Sequence, residues 1–225
     1  VDDDATPTRQ QISDAVDPAG WRLILGAIYT EVQTSSLTAA TEAASLVVSA
    51  VGAGGQGHLT VDIRADRAVL RLQSGHTGRV TGRDIRLAHD VSAALAARGL
   101  EPKPGGGSLQ ALEIAIDALD IAAVRPFWKA ITGYADEPGP ELQAALIDPS
   151  GRAPAIWFQQ MDAPRPQRNR IHLDIDVPPE AASARIDAAI TAGGRVLSDD
   201  AAPAYWVLAD PEGNEACICT WQGRD

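Results

Sequence analysis

Apolar and polar positions along this chain first follow a strand-and-helix alternation that runs to about residue 100. Residues 21–32 alternate, with Leu23, Leu25, Ala27 and Tyr29 set against Arg22, Ile24 and Ile28, which predicts a strand. A short helix over Ile12–Val16 precedes it, ahead of Gly20. Ser35 or Ser36 can cap a helix from about Leu37 to Val51, closed by Gly52, Gly54 and Gly55. Residues 58–64 and 68–74 read as two strands joined by the tight turn Ala65-Asp66-Arg67. Thr81-Gly82-Arg83-Asp84 has the spacing of a capping box, and Ile85, Ala88, Val91, Ser92 and Leu95 form the buried stripe of the helix it starts.

Glu101-Pro102-Lys103-Pro104-Gly105-Gly106-Gly107-Ser108 interrupts this pattern. Two prolines and three glycines allow neither helix nor strand to run through it, so it is expected to link two domains, residues 1–100 and 109–225. Beyond it the sequence repeats itself. Asp148-Pro149-Ser150-Gly151 recurs 62 residues later as Asp210-Pro211-Glu212-Gly213, and Glu113 to Asp117 recurs 59 residues later as His172 to Asp176. Each copy reads as strand, helix and further strands. The first has a strand at 112–117, a helix ending at Gly133, and strands near 142–147 and 155–160. Asp120 can cap its helix, yet Pro126 sits deep for a first turn, so the helix either begins near Arg125 or kinks there. The second has a strand at 171–177, a helix entering at Pro178-Pro179 and stopping at Gly193-Gly194, and strands near 204–209 and 215–221.

The net charge of −11 disfavours nucleic acid and anionic membrane surfaces. No apolar run approaches the roughly 18–20 residues of a bilayer span. The acidic start has neither a basic n-region nor an apolar h-region, so nothing suggests secretion. Cys217 and Cys219 lie one residue apart in an expected strand, where they share a face without easily forming a disulfide; reduced thiols and a cytoplasmic location are expected.

Gly57-His58-Leu59-Thr60-Val61-Asp62, Leu72-Gln73-Ser74-Gly75-His76 and Val80-Thr81-Gly82-Arg83-Asp84-Ile85-Arg86-Leu87-Ala88 resemble, in order and spacing, the motifs of the pterin-4a-carbinolamine dehydratase family. The resemblance implies a small antiparallel sheet with helices, and loss of water from a reduced pterin by imidazole acid–base chemistry. Two of that family's three histidine positions are Gly57 and Gly75 here, leaving His58 and Asp84 in register, so the activity is expected to be impaired. His76 falls one residue late and can substitute only if its strand has ended; His89 belongs to the helix surface.

The repeated half, with Phe127-Trp128, Gly133-Tyr134, His172-Leu173-Asp174 and Asp210-Pro211-Glu212-Gly213-Asn214, resembles the glyoxalase/bleomycin-resistance (vicinal oxygen chelate) superfamily. The expected fold class is therefore α+β with two domains, the second a duplicated βαβββ unit. That superfamily curls its modules into a cup with metal ligands on the first and last strand of each. Alternation puts Glu113 and Asp117 on the cup face of one first strand, and His172, Asp174 and Asp176 on that of the other. Glu215, Cys217, Cys219 and Trp221 take the cup face of the last strand; in the first module Trp157 and Gln159 compete with Ile156, Phe158 and Gln160 for it.

The resemblance makes Glu113 and His172 ligand positions, with Gln159 and Cys217 at the closing positions and Glu215 as a further donor. Such a set would hold one divalent ion such as zinc, nickel or manganese with positions open to substrate oxygens. The alternative is that His172 hydrogen-bonds Asp174 or an organic ligand, without a metal. Trp157 and Trp221 would offer a flat ring a stacking surface. Two functions follow. One is a lyase or isomerase acting on a small, oxygen-bearing or pterin-like molecule through His58, Asp84, Glu113 and His172. The other is a small-molecule binding protein whose first domain mediates assembly. A homodimer is expected in either case.

Overall fold

The structure, a computed structural model, describes Asp3 and residues 5–103, 109–138, 145–164 and 171–223. It divides into two compact units, one reaching Ala111 and one beginning at Leu112.

In the first unit the order is α1 (Arg9–Val16), β1 (Arg22–Ile24), β2 (Ala27–Gln33), α2 (Leu37–Val51), β3 (Leu59–Ile63), β4 (Arg67–Leu72), α3 (Gly82–Ala96) and β5 (Pro102–Lys103). The strands form one sheet in the order β1-β2-β4-β3, all pairs antiparallel. Apolar residues of α1, α2 and α3 meet Trp21, Ile28, Leu70 and Leu72 in one core. Trp21 is fully buried and its ring N–H donates to Ser92 Oγ at 3.0 Å, which gives the indole its polar partner. Caps hold where the sequence placed them: Ser36 Oγ accepts from Ala39 N–H, and Thr81 with Asp84 forms the capping box of α3.

Three expectations change in this unit. The single strand over 21–32 is a hairpin, because Leu25 (φ 47°) and Gly26 (φ 76°) turn the chain and bring Ile24 opposite Ala27. Residues 101–108 are not wholly a linker: Pro102 and Lys103 pair with Val32 and Glu31, and residues 104–108 lie outside the described residues. Proline is tolerated there because β5 is a short edge strand. Nearby, a side chain at Gly20 (φ 82°) would lie 2.3 Å from the Pro102 carbonyl oxygen, so glycine is what lets β5 approach. Finally, Leu37–Gly55 forms 19 residues of mean hydropathy 1.3, long and apolar enough to cross a membrane by length and composition. Its Ala43, Val47 and Val51 are instead part of the unit's core.

The second unit repeats one topology. Its first module is β6 (Glu113–Ala118), α4 (Ile121–Thr132), β7 (Ala135–Asp136), β8 (Leu146–Ile147) and β9 (Ala155–Gln160); its second is β10 (Leu173–Asp176), α5 (Pro179–Thr191), β11 (Arg195–Ser198), β12 (Tyr205–Ala209) and β13 (Glu215–Cys219). The sheets run β6-β9-β8-β7 and β10-β13-β12-β11, so first and last strands lie side by side and parallel in each. Helix α4 starts at Ile121 behind an Asp120 cap and carries Pro126 inside, which forgoes only the bond it would have donated to Ala122. Part of the expected strand near 142–147 lies outside the described residues.

The modules meet through their helices. Phe127, Trp128 and Ile131 of α4 share a core with Ala182 and Ala189 of α5 and with Leu208 and Ile218. Phe127 lies so close to Gly194 that a Cβ there would be 2.3 Å from the ring. Glu212, from the hairpin between β12 and β13, accepts hydrogen bonds from Leu119 N–H (2.9 Å) and Asp120 N–H (2.6 Å) at the start of α4, a favourable place for a carboxylate.

The repeated Asp-Pro turns use their aspartates alike. Asp148 accepts from Ser150 N–H and Oγ–H and from the N–H groups of Arg152 and Ala153. Partial burial pushes its pKa up, but these four bonds prevail and lower it to about 2. The folded pKa lies below the unfolded one, so this stabilisation is complete above the unfolded value and is lost as pH falls towards 2. Asp148→Ala is expected to cost roughly 1 kcal/mol at pH 7 after solvent screening, and nothing measurable near pH 2. Urea denaturation at the two pH values checks this; an equal loss at both would contradict it.

Candidate functional site

In the first unit His58 stands immediately before β3 and Asp84 in the first turn of α3. His58 Nδ1 lies 2.8 Å from Asp84 Oδ1, with Asp84 fully buried and the imidazole 13% exposed. Asp84 Oδ2 accepts from Thr81 N–H (2.7 Å) and Thr81 Oγ–H (2.8 Å), so the helix cap and the imidazole share one carboxylate. An acceptor-only carboxylate assigns the proton to Nδ1 and leaves Nε2 as the proton-accepting atom. Beside them Gly75 N–H donates to Gly57 O at 2.7 Å, bringing the two glycines next to each other. β4 ends at Leu72, so His76 is released from strand alternation, but it sits exposed in a turn; His89 is exposed on α3.

In the second unit the sheet face away from the helices is the one the alternation marked. Ile114 and Ile156 turn towards the core, while Glu113, Trp157 and Gln159 are exposed, with Trp157 beside Ala115 and Gln159 beside Asp117 in register. This decides the competition on β9 for Trp157 and Gln159; the Gln160 amide instead donates to the Leu119 carbonyl. Trp221 is 69% exposed but lies beyond the end of β13 at Cys219, so it belongs to a turn and not to the strand face.

On the second sheet, parallel pairing sets Asp174 directly beside Cys217. His172, just before β10, brings Nε2 to 3.2 Å from Asp174 Oδ1, both side chains being about half exposed. One ligand atom from each of His172, Asp174 and Cys217 lies within 4.8 Å of the others; among the described residues this is the group of histidine, cysteine and carboxylate side chains that converges so closely. Glu113 and Glu215 are not in it. Sequence reasoning had placed Asp174 on this face only as a hydrogen-bond partner of His172. Cys217 is 6% exposed and its thiol is pushed up to about 12, by burial first, then by its hydrogen bond to Asp174 and the negative charge around it. In that state it keeps its proton at neutral pH and is no nucleophile. Cys219 is also a buried free thiol.

The donor set suits a borderline transition ion. Imidazole, carboxylate and sulfur are zinc-type ligands, and the half-exposed His172 and Asp174 side chains have room to adjust towards an ion shared with Cys217.

Residues 113–219 match the family model described as a glyoxalase-like domain. Residues 113–219 form a glyoxalase-like domain. Solved structures similar to it include a glyoxalase/bleomycin resistance protein/dioxygenase family enzyme from Burkholderia phytofirmans PsJN, at 22% identity over 48% of this chain and 95% of that one, with a TM-score of 0.40. A glyoxalase-related enzyme from Fulvimarina pelagi is 18% identical over 50% of this chain and 88% of that one, with a TM-score of 0.41. The fosfomycin resistance protein FosX from Mesorhizobium loti is 6% identical over 50% and 92%, with a TM-score of 0.41. Among curated proteins none matches this sequence. The glyoxalase-like domain thus takes in both βαβββ modules, including His172, Asp174 and Cys217.

Proposed function

We propose that the glyoxalase-like domain is a lyase or isomerase that acts on a small, oxygen-bearing organic molecule with the help of one divalent ion. The observation that carries this reading is the convergence of His172, Asp174 and Cys217 on the helix-free face of a sheet. His172 would hold the ion, zinc, nickel or manganese, and the ion would supply Lewis-acid polarisation of a substrate oxygen. The Glu113 carboxylate, exposed on the matching strand of the first module, is suited to moving a proton. Trp157 offers a flat surface for the apolar part of the substrate, and Trp221 a second one at the end of β13.

Glu113, Trp157 and Gln159 on one sheet and Asp174 on the other are exposed, so we read the working form as a homodimer in which a second copy covers them. Light scattering on the full chain tests that; a monomer at micromolar concentration would contradict it. The free thiols suit a reducing, cytoplasmic setting. Element analysis of the purified protein tests the metal. Metal-free protein that still binds aromatic compounds would favour a second reading, a binding module, for which the exposed Trp157, Tyr205 and Trp221 speak.

The first unit we read as related to pterin-4a-carbinolamine dehydratases, with an altered site. His58, oriented by Asp84, retains one proton-accepting nitrogen, while Gly57 and Gly75 bring no imidazole. One positioned base contributes roughly 10²–10⁴-fold, so a site missing two of three should turn over poorly. Little or no dehydration of a 4a-carbinolamine is therefore expected in a stopped-flow absorbance assay. A rate like that of a three-histidine enzyme would show that another group, His76 first among them, has taken the missing role.

A further inference from the structure

We infer that the second module alone binds the ion, through His172 Nε2, the Asp174 carboxylate and the Cys217 sulfur, and that Glu113 and Gln159 of the first module are not ligands. This rests on the metal-assisted reading above and goes further in naming which donors hold the ion, and so which ions the site prefers.

The assignment follows from strand pairing. β10 and β13 are parallel neighbours, and their register sets Asp174 opposite Cys217. His172 stands just before β10, and its Nε2 is 3.2 Å from the Asp174 carboxylate. Three different donors thus come within 4.8 Å of one another inside four-stranded β10-β13-β12-β11. Glu113 and Gln159 sit on β6 and β9, in a sheet that among the described residues shares no strand pairing with this one.

The chemistry of the donors selects the ion. Magnesium and calcium require shells of oxygen, which this trio does not offer. A nitrogen, an oxygen and a sulfur are the donors of zinc and of its spectroscopic substitute cobalt(II). On binding, the Cys217 S–H bond breaks, its proton passes to solvent, and the sulfur electron pair forms the bond to the ion; no oxidant or reductant takes part. Cys217 sits buried at the sheet and His172 and Asp174 stand half exposed beside it, so three protein ligands leave a fourth position for water or a substrate oxygen.

The test is cobalt(II) titration of the full-length apo protein under reducing conditions, followed by absorbance, with stoichiometry from element analysis. Wild-type protein should take up one ion per chain and show a sulfur-to-cobalt charge-transfer band in the near ultraviolet. Cys217→Ser should lose that band and bind roughly 100-fold more weakly. Asp174→Asn, an exposed change that spares the fold, should keep the band and weaken binding. Cys219→Ser and Glu113→Gln should titrate like wild type. A bound ion without the sulfur band, or binding lost in Glu113→Gln and intact in Cys217→Ser, would overturn this assignment while leaving the metal-assisted reading in place. No uptake by wild-type protein would overturn both.

Discussion

Replacing His172 by alanine is expected to abolish metal uptake, and any turnover with it, while the protein stays folded. His172 is the one histidine after residue 100 in this chain, so no second imidazole can replace it. Without it, Asp174 and Cys217 remain as two donors, too few for a stable site of the zinc type. The fold has little to lose. The side chain is 52% exposed, precedes β10 and takes no part in the core, so the change in stability should stay within about 0.5 kcal/mol. Element analysis and thermal melting of the variant beside wild type measure the two effects separately. A variant with full metal content or undiminished turnover would remove His172 from the site.

The largest effect on stability is expected at Asp210. It is fully buried, and its carboxylate accepts from Trp128 Nε1–H (3.0 Å), Glu212 N–H (2.9 Å), Asn214 N–H (2.9 Å) and the Asn214 side-chain amide (2.8 Å). Asp210→Ala leaves those donors without their acceptor, one of them the indole of a core tryptophan. A loss of about 3–5 kcal/mol follows. Asp148 provides an internal comparison, because it makes the same turn in the first module with partial solvent access and no tryptophan partner. Denaturant unfolding of both alanine variants should rank them Asp210 well above Asp148; equal losses would mean that the Trp128 bond and burial add nothing.

Asp210 also shows why duplication preserves a turn and changes its energetics. The Asp-Pro-x-Gly spacing dictates that the carboxylate folds back onto the following N–H groups, and both copies obey. Whether the turn is also buried depends on what lies over it. Over Asp210 lies Trp128, 82 residues earlier in the chain. Nothing local to residues 210–214 announces that partner.

The same division runs through the rest of the molecule. Local chemistry determined the caps at Ser36, Thr81 and Asp120, the stripe of α3 from Ile85 to Leu95, and the entry of α5 at Pro179, because a cap or a helical face depends on residues a few positions apart. Period-two alternation likewise put Glu113, His172 and Asp174 on the helix-free faces, while on β9 it left two choices until the packing of Ile156 in the core turned Trp157 and Gln159 outward. Tertiary contacts decided what alternation could not. The turn at Leu25-Gly26 needs a left-handed leucine that the hairpin pairing must hold in place, and Pro102-Lys103 becomes a strand because β2 offers a free edge. Above all, Asp174 and Cys217 are neighbours because the first and last strands of a module pair in parallel, and that register is set by hydrogen bonds between segments some forty residues apart. The sequence by itself determined which side chains share a face; the fold decided which of them touch, because contact across strands depends on register and not on any local spacing.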